Sequence, residues 1–185
     1  MDVNTVFFDR LFAVIIAFLL PGLVALFGIA TGDQTVRTWF QGAQSGPTIA
    51  GFIFVLFAAL ALNLVITAVR WFLFEHLKFK LLGCPWVPAA PNWDEEKRRE
   101  RDALYVDIRH QHYYHYLASA NMAVAIPFAV LAWKIGSVPA PSWTTFIVVV
   151  LVGVGTSMVL GLAACDALRR FDRKVTKLLS ISPAA

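Results

Sequence analysis

Four apolar stretches, at roughly 9–30, 50–73, 113–135 and 143–165, each run the length of a bilayer crossing, and the basic residues stand almost wholly to one side of them. About 20 apolar residues in a helix cover the ~30 Å of hydrocarbon in a bilayer. Of sixteen Lys and Arg residues, only Arg37 lies between the first two stretches and only Lys134 at the loop between the last two. The other fourteen fall at the start of the first stretch (Arg10), at the end of the second (Arg70), in the long middle segment and in the C-terminal tail. Loops on the cytoplasmic side collect Lys and Arg, so both termini and the middle segment are expected there. The expected fold is an all-α membrane protein. It is a single domain over 1–185, a four-transmembrane-helix bundle with amphipathic cytoplasmic extensions at 75–112 and 166–180.

Composition agrees with this reading. Hydrophobic residues make up 58% of the chain and charged residues 15%, against an apolar share of about 45–50% in soluble domains. The start, MDVNTVFFDR, is acidic where a cleaved leader would be basic, so a retained first helix is expected. The pI near 9.3 follows from the juxtamembrane basic residues and does not imply nucleic acid. Cys84 and Cys165 both fall on the expected cytoplasmic side, where thiols stay reduced.

Within lipid, helices associate through close packing of small residues and through polar pairs, because the tails are as apolar as the side chains. In the fourth stretch Gly153, Ser157, Gly161 and Cys165 recur every four residues and share one helix face. They are the leading packing candidates, toward this chain or another copy. Pro21 and Pro127 each interrupt a span and release the carbonyl four residues earlier, that of Ala17 and of Ala123. Such a break is tolerated when a neighbour bonds the freed carbonyl.

The few polar residues inside the spans have matching depths. Asn63, Asn121 and Ser157 lie six to nine residues from Arg70, His115 and Asp166 respectively. At about 1.5 Å per residue this places them roughly 9–14 Å inside the cytoplasmic boundary, in one polar layer. Thr67 shares a face with Asn63. The layer reads either as interhelical hydrogen bonding or as the lining of an oligomeric pore. Ala59 and Trp71 bracket it, which makes it a short patch rather than a continuous stripe.

The extension WFLFEHLKFKLL (71–82) separates basic and apolar faces, and Asn92 with Glu95 has the spacing of a helix-starting capping box. In the tail, Leu168, Phe171, Val175, Leu178 and Leu179 follow helical spacing opposite Arg169, Arg170, Arg173, Lys174 and Lys177. Such a helix is expected to lodge on the membrane surface or to dock on the middle segment.

One cluster invites chemistry. RHQHYYHY (109–116) places His112 and His115 on one face, with His76 at the matching depth on the preceding helix. Imidazole is the commonest metal ligand, which makes metal or haem at His76, His112 and His115 the alternative reading. The surrounding tyrosines suit an interfacial belt instead. No phosphate loop or nucleophile elbow is present, and no acidic residue lies in the body of a span. The expectation is a non-enzymatic subunit without cofactor, in a membrane such as the bacterial inner membrane. Its partners are the lipid bilayer and further copies or a protein on the cytoplasmic face. It serves as an anchor, an oligomeric pore or a membrane effector.

Overall fold

The computed structural model describes residues 15–41, 48–73, 102–137 and 141–180, and every described element is helical. Helix α1 is Leu20–Ala30, preceded by helical residues 15–18 and a turn at Leu19, and α2 is Gln34–Gln41. Helix α3 is Ile49–Trp71, α4 is Asp102–Ile108, α5 is Tyr114–Gly136 and α6 is Trp143–Ser180. A π-helical segment, Arg109–Tyr113, joins α4 to α5 without a break. Among the described residues, Ile49–Trp71, Leu104–Gly136 and Trp143–Leu178 are long and apolar enough to cross a membrane. Ile15–Ala30 is apolar but shorter, and the start of the expected first span, 9–14, lies outside the described residues.

Local chemistry sets the helix starts. Pro21 sits in the first turn of α1 and, having no N–H, leaves the Ala17 carbonyl of the preceding turn without its backbone donor. Asp33 caps α2 by accepting from the Val36 N–H at 2.9 Å. Thr48 has extended backbone and its Oγ1 accepts from Gly51 N at 3.0 Å, so α3 starts on a side-chain cap. Ser142 Oγ accepts from Thr145 N at 3.2 Å at the head of α6.

Helix α1 lies between α3 and α5. It runs antiparallel to α3, with Gly22 against Ala59, and parallel to α5, with Gly28 against Ala129 and Gly32 against Gly136. A side chain at Gly22 would collide with the Ala59 carbonyl, and one at Gly28 would come within 2.6 Å of the Ala129 backbone. Backbones approach this closely only where glycine leaves the space. Leu26, Ala30, Val36, Val55 and Ala59 form the core between α1, α2 and α3. Ala25, Ile66 and Ala125 join α1, α3 and α5.

Helix α6 packs along α5, the π segment and α4. Its other flank is open, with Val148, Leu151, Val154, Met158 and Leu162 exposed. Lys134 clips the α5–α6 connection. Its ammonium donates to the Pro141 carbonyl at 3.2 Å and stands 4.8 Å from the Trp143 ring centroid and 5.0 Å from that of Phe146. A cation over two aromatic faces is attracted by their quadrupoles.

The tail, read from the sequence as a separate amphipathic segment over 166–180, is the unbroken continuation of α6. Residues 74–101 lie outside the described residues, and with them His76, Cys84, the 71–82 extension beyond residue 73 and the Asn92–Glu95 cap.

Candidate functional site

The polar groups of the spans meet at the basic half of the α1–α3–α5 core. Pro21 cannot donate to the Ala17 carbonyl, and the Asn121 side chain of α5 does so instead, Nδ2 to O at 3.3 Å. The same Nδ2 lies 3.5 Å from Asn63 Oδ1 and 3.4 Å from Thr67 Oγ1, both on α3. Two amide hydrogens thus serve three acceptors, at distances longer than the ~2.9–3.0 Å optimum. Asn63 is 2% exposed and Asn121 0%, so the layer is sealed within one chain. Asn121 Oδ1 has no partner.

Ser157, expected at the same depth, does not join this network. Its Oγ is buried on α6 without a hydrogen bond. Depth is an axial property, whereas membership of the layer depends on how each helix is rotated and which neighbour it faces.

Two turns toward the basic end, Arg70 of α3 is 5% exposed and donates from Nη1 to Tyr116 Oη at 2.8 Å. Its Nε is buried and unpartnered. Asn63, Thr67 and Arg70 therefore form a polar file on α3, answered by Asn121 and Tyr116 on α5.

Beyond Arg70, α4, the π segment and the end of α6 form a two-helix arm. Phe171 of α6 lies 6.4 Å from the Tyr105 ring and 5.6 Å from the Tyr113 ring, centroid to centroid. Val175 is 3% exposed. The apolar face of the tail is thus covered by protein, through aromatic contacts. Arg169, Arg170, Arg173, Lys174 and Lys177 remain exposed on the other face. Arg170 pairs with Asp166 at 2.8 Å, one turn away and largely in solvent.

The histidines fall at the base of this arm. His112 Nε2 is buried without a partner, His115 is exposed, and the His110 ring stands 4.9 Å from that of Tyr114. The π segment closes its hydrogen bonds one residue further along than an α-helix and so takes about one more residue per turn, which shifts faces counted at 3.6 residues across it. Among the described residues, no group of three or more His, Cys, Asp or Glu side chains comes together.

The small-residue series of α6 divides. Gly153 is buried against α5, where an added side chain would meet Val130 Cγ2 at 3.2 Å and Ile126 Cγ2 at 3.6 Å. Cys165 is buried, while a side chain at Gly161 would meet nothing within 4 Å. The closest backbone approaches belong to Gly22 and Gly28 of α1 and Gly32 of the turn that follows it, together with Gly136. Their signal is present in the sequence, since Gly28 and Gly32 have the same small-xxx-small spacing.

Comparison with protein-family profiles, with curated proteins and with solved structures finds no match to this chain.

Proposed function

We propose that this chain is a non-enzymatic integral membrane subunit that works by protein contact, through the two-helix arm at the basic end of a four-helix bundle. The arm is the observation that carries the reading. Leu104–Gly136 has 33 residues and Trp143–Ser180 has 38, about 50 and 57 Å at ~1.5 Å per residue. Both exceed ~30 Å of hydrocarbon, and they extend together because Phe171 and Val175 hold them to one another. Basic residues favour the cytoplasmic side, which puts the arm and both termini in the cytoplasm of a bacterial inner-membrane protein. There the exposed basic face can receive a partner or a second copy, so the subunit self-associates or anchors a complex.

An oligomeric pore finds less support. Asn63, Thr67 and Asn121 are turned toward one another inside one chain, and a pore between copies would need a different lining. A redox or metal role would need ligands beyond His112 and His115.

The test is the detergent-solution mass of the protein taken from its native membrane, with identification of what accompanies it. The expected particle exceeds one 20.5 kDa chain, and Phe171→Ala with Val175→Ala releases the added mass while the spans stay folded. A clean monomer with no companion overturns the proposal, and so does stoichiometric iron or zinc.

A further inference from the structure

The two basic residues that break the charge asymmetry have different surroundings. Lys134 is consumed by the α5–α6 clip. Arg37 of α2 donates from Nε to the Ala30 carbonyl at 3.1 Å and from Nη2 to the Thr31 carbonyl. These bonds cap the carbonyl end of α1 and hold the guanidinium in place, while Nη1 takes part in neither. Asp33, four residues away, is committed to the Val36 N–H, and no ion pair joins it to Arg37.

Arg37 also lines a cavity of about 580 Å³ where α1, α2, the end of α5 and the approach to α6 meet. Its other walls include Phe27, Phe40, Trp133, Ser137 and Pro141. Phe27 and Phe40 stand edge to face at 6.3 Å, and Phe27 is exposed on the flank of the bundle. A volume of ~300–1,000 Å³, mostly apolar walls and a few fixed polar groups are the attributes of a small-molecule site. The position adds a constraint. The cavity lies at the end of α1 and of the apolar helix Leu104–Gly136, and the end of a bilayer-crossing helix is where headgroups are met.

We propose that this cavity holds one anionic membrane lipid, its phosphate against Arg37 and part of an acyl chain along Phe27, Phe40 and Trp133. A guanidinium presents planar N–H donors that match phosphate oxygens, and the aromatic walls accept a chain that a free anion lacks. Because the α1 carbonyls already share the charge of Arg37, the preference for an anionic over a zwitterionic headgroup is moderate, on the order of tenfold.

The test uses the full chain in a neutral detergent, with phosphatidylglycerol or phosphatidylcholine of the same acyl chains added, and native mass spectrometry as readout. The expected result is one retained phosphatidylglycerol, about tenfold preferred. Arg37→Gln removes the preference, Arg37→Lys keeps most of it, and replacing Arg169, Arg173 and Lys177 by Gln leaves it unchanged. Should Arg37→Gln fail to fold, Ser137→Trp fills the cavity with the cation intact and is expected to lose the lipid. Phosphatidylglycerol with brominated chains is expected to quench a part of the tryptophan emission that Trp133→Phe lacks. Equal retention of both lipids by the wild-type chain overturns the proposal, as does a preference that survives Arg37→Gln or a lipid that survives Ser137→Trp. Quenching that Trp133→Phe leaves unaltered also overturns it. Inorganic phosphate that raises the thermal midpoint as much as phosphatidylglycerol would assign the site to a free anion, and the lipid assignment would fall.

Discussion

Helices α1 and α6 both carry small residues at intervals of about four, yet they use them differently. On α1 every such residue is engaged, with Gly22 on the α3 backbone and Gly28 on that of α5. On α6 a side chain added at Gly153 would meet side chains of α5, and one added at Gly161 would meet nothing within 4 Å. The difference lies in the number of neighbours. α1 has a helix on each side, whereas α6 follows α5 and leaves its far flank open. A small-residue spacing states that a backbone can approach closely, and the surrounding helices decide whether one does.

The strongest challenge to this comparison is a matched pair of substitutions. Gly22→Leu or Gly28→Leu is expected to abolish the folded monomer, because a backbone carbonyl or Cα occupies the space. Gly161→Leu is expected to leave the monomer's thermal midpoint in detergent unchanged. If Gly161→Leu proves as damaging, α6 has a close neighbour in another copy and the contrast fails.

A smaller effect is expected in the polar layer. Asn121→Leu strips the donor from the Ala17 carbonyl, Asn63 and Thr67, at a cost of about 1–2 kcal/mol. Equilibrium unfolding would measure it, and a neutral outcome would mean that these long contacts contribute nothing to holding α1 in place.

Smaller still, Phe171→Ala removes a half-buried ring from the arm, a loss of about 1 kcal/mol, roughly half that of a fully buried side chain. The effect is expected to be confined there. Amide exchange should rise in 102–113 and 166–178 and remain unchanged in α1 and α3. Exchange rising throughout would show that arm and core unfold as one unit.

The least effect belongs to Asp166→Asn. The pair it breaks with Arg170 is exposed, and such pairs contribute about 0.3–0.5 kcal/mol. A midpoint shift outside error would mean that this end of α6 is more enclosed than the arm geometry implies.

Much of the candidate site is visible along the chain, in one dimension. The depths of Asn63 and Asn121 can be counted from Arg70 and His115. Pro21 announces that the Ala17 carbonyl needs a donor. The partnership of Asn121 with Ala17 cannot be counted, because 104 residues separate them and only the packing of α1 on α5 joins them. Ser157 has a matching depth and still stands apart, since α6 meets α5 from the other side. The tail's apolar stripe is equally legible, but periodicity does not state whether lipid or protein covers it. Tyr105 and Tyr113 supply that cover. They do so across a π segment that a regular helical count does not anticipate.

What the sequence by itself determined is axial: that Ile49–Trp71, Leu104–Gly136 and Trp143–Leu178 are long and apolar enough to cross a bilayer, where along the chain the basic residues gather and how far along its helix each polar side chain stands. Hydropathy and charge accumulate along a helix and act on its position relative to the membrane, so they can be summed without knowing any neighbour. The tertiary structure alone decided the lateral arrangement: α1 in the centre, the polar layer closed within one chain, α6 on a single flank and the tail joined to the arm. Lipid supplies no hydrophobic force between helices. Their rotation and order depend on short-range fit between particular surfaces, such as Gly22 on Ala59.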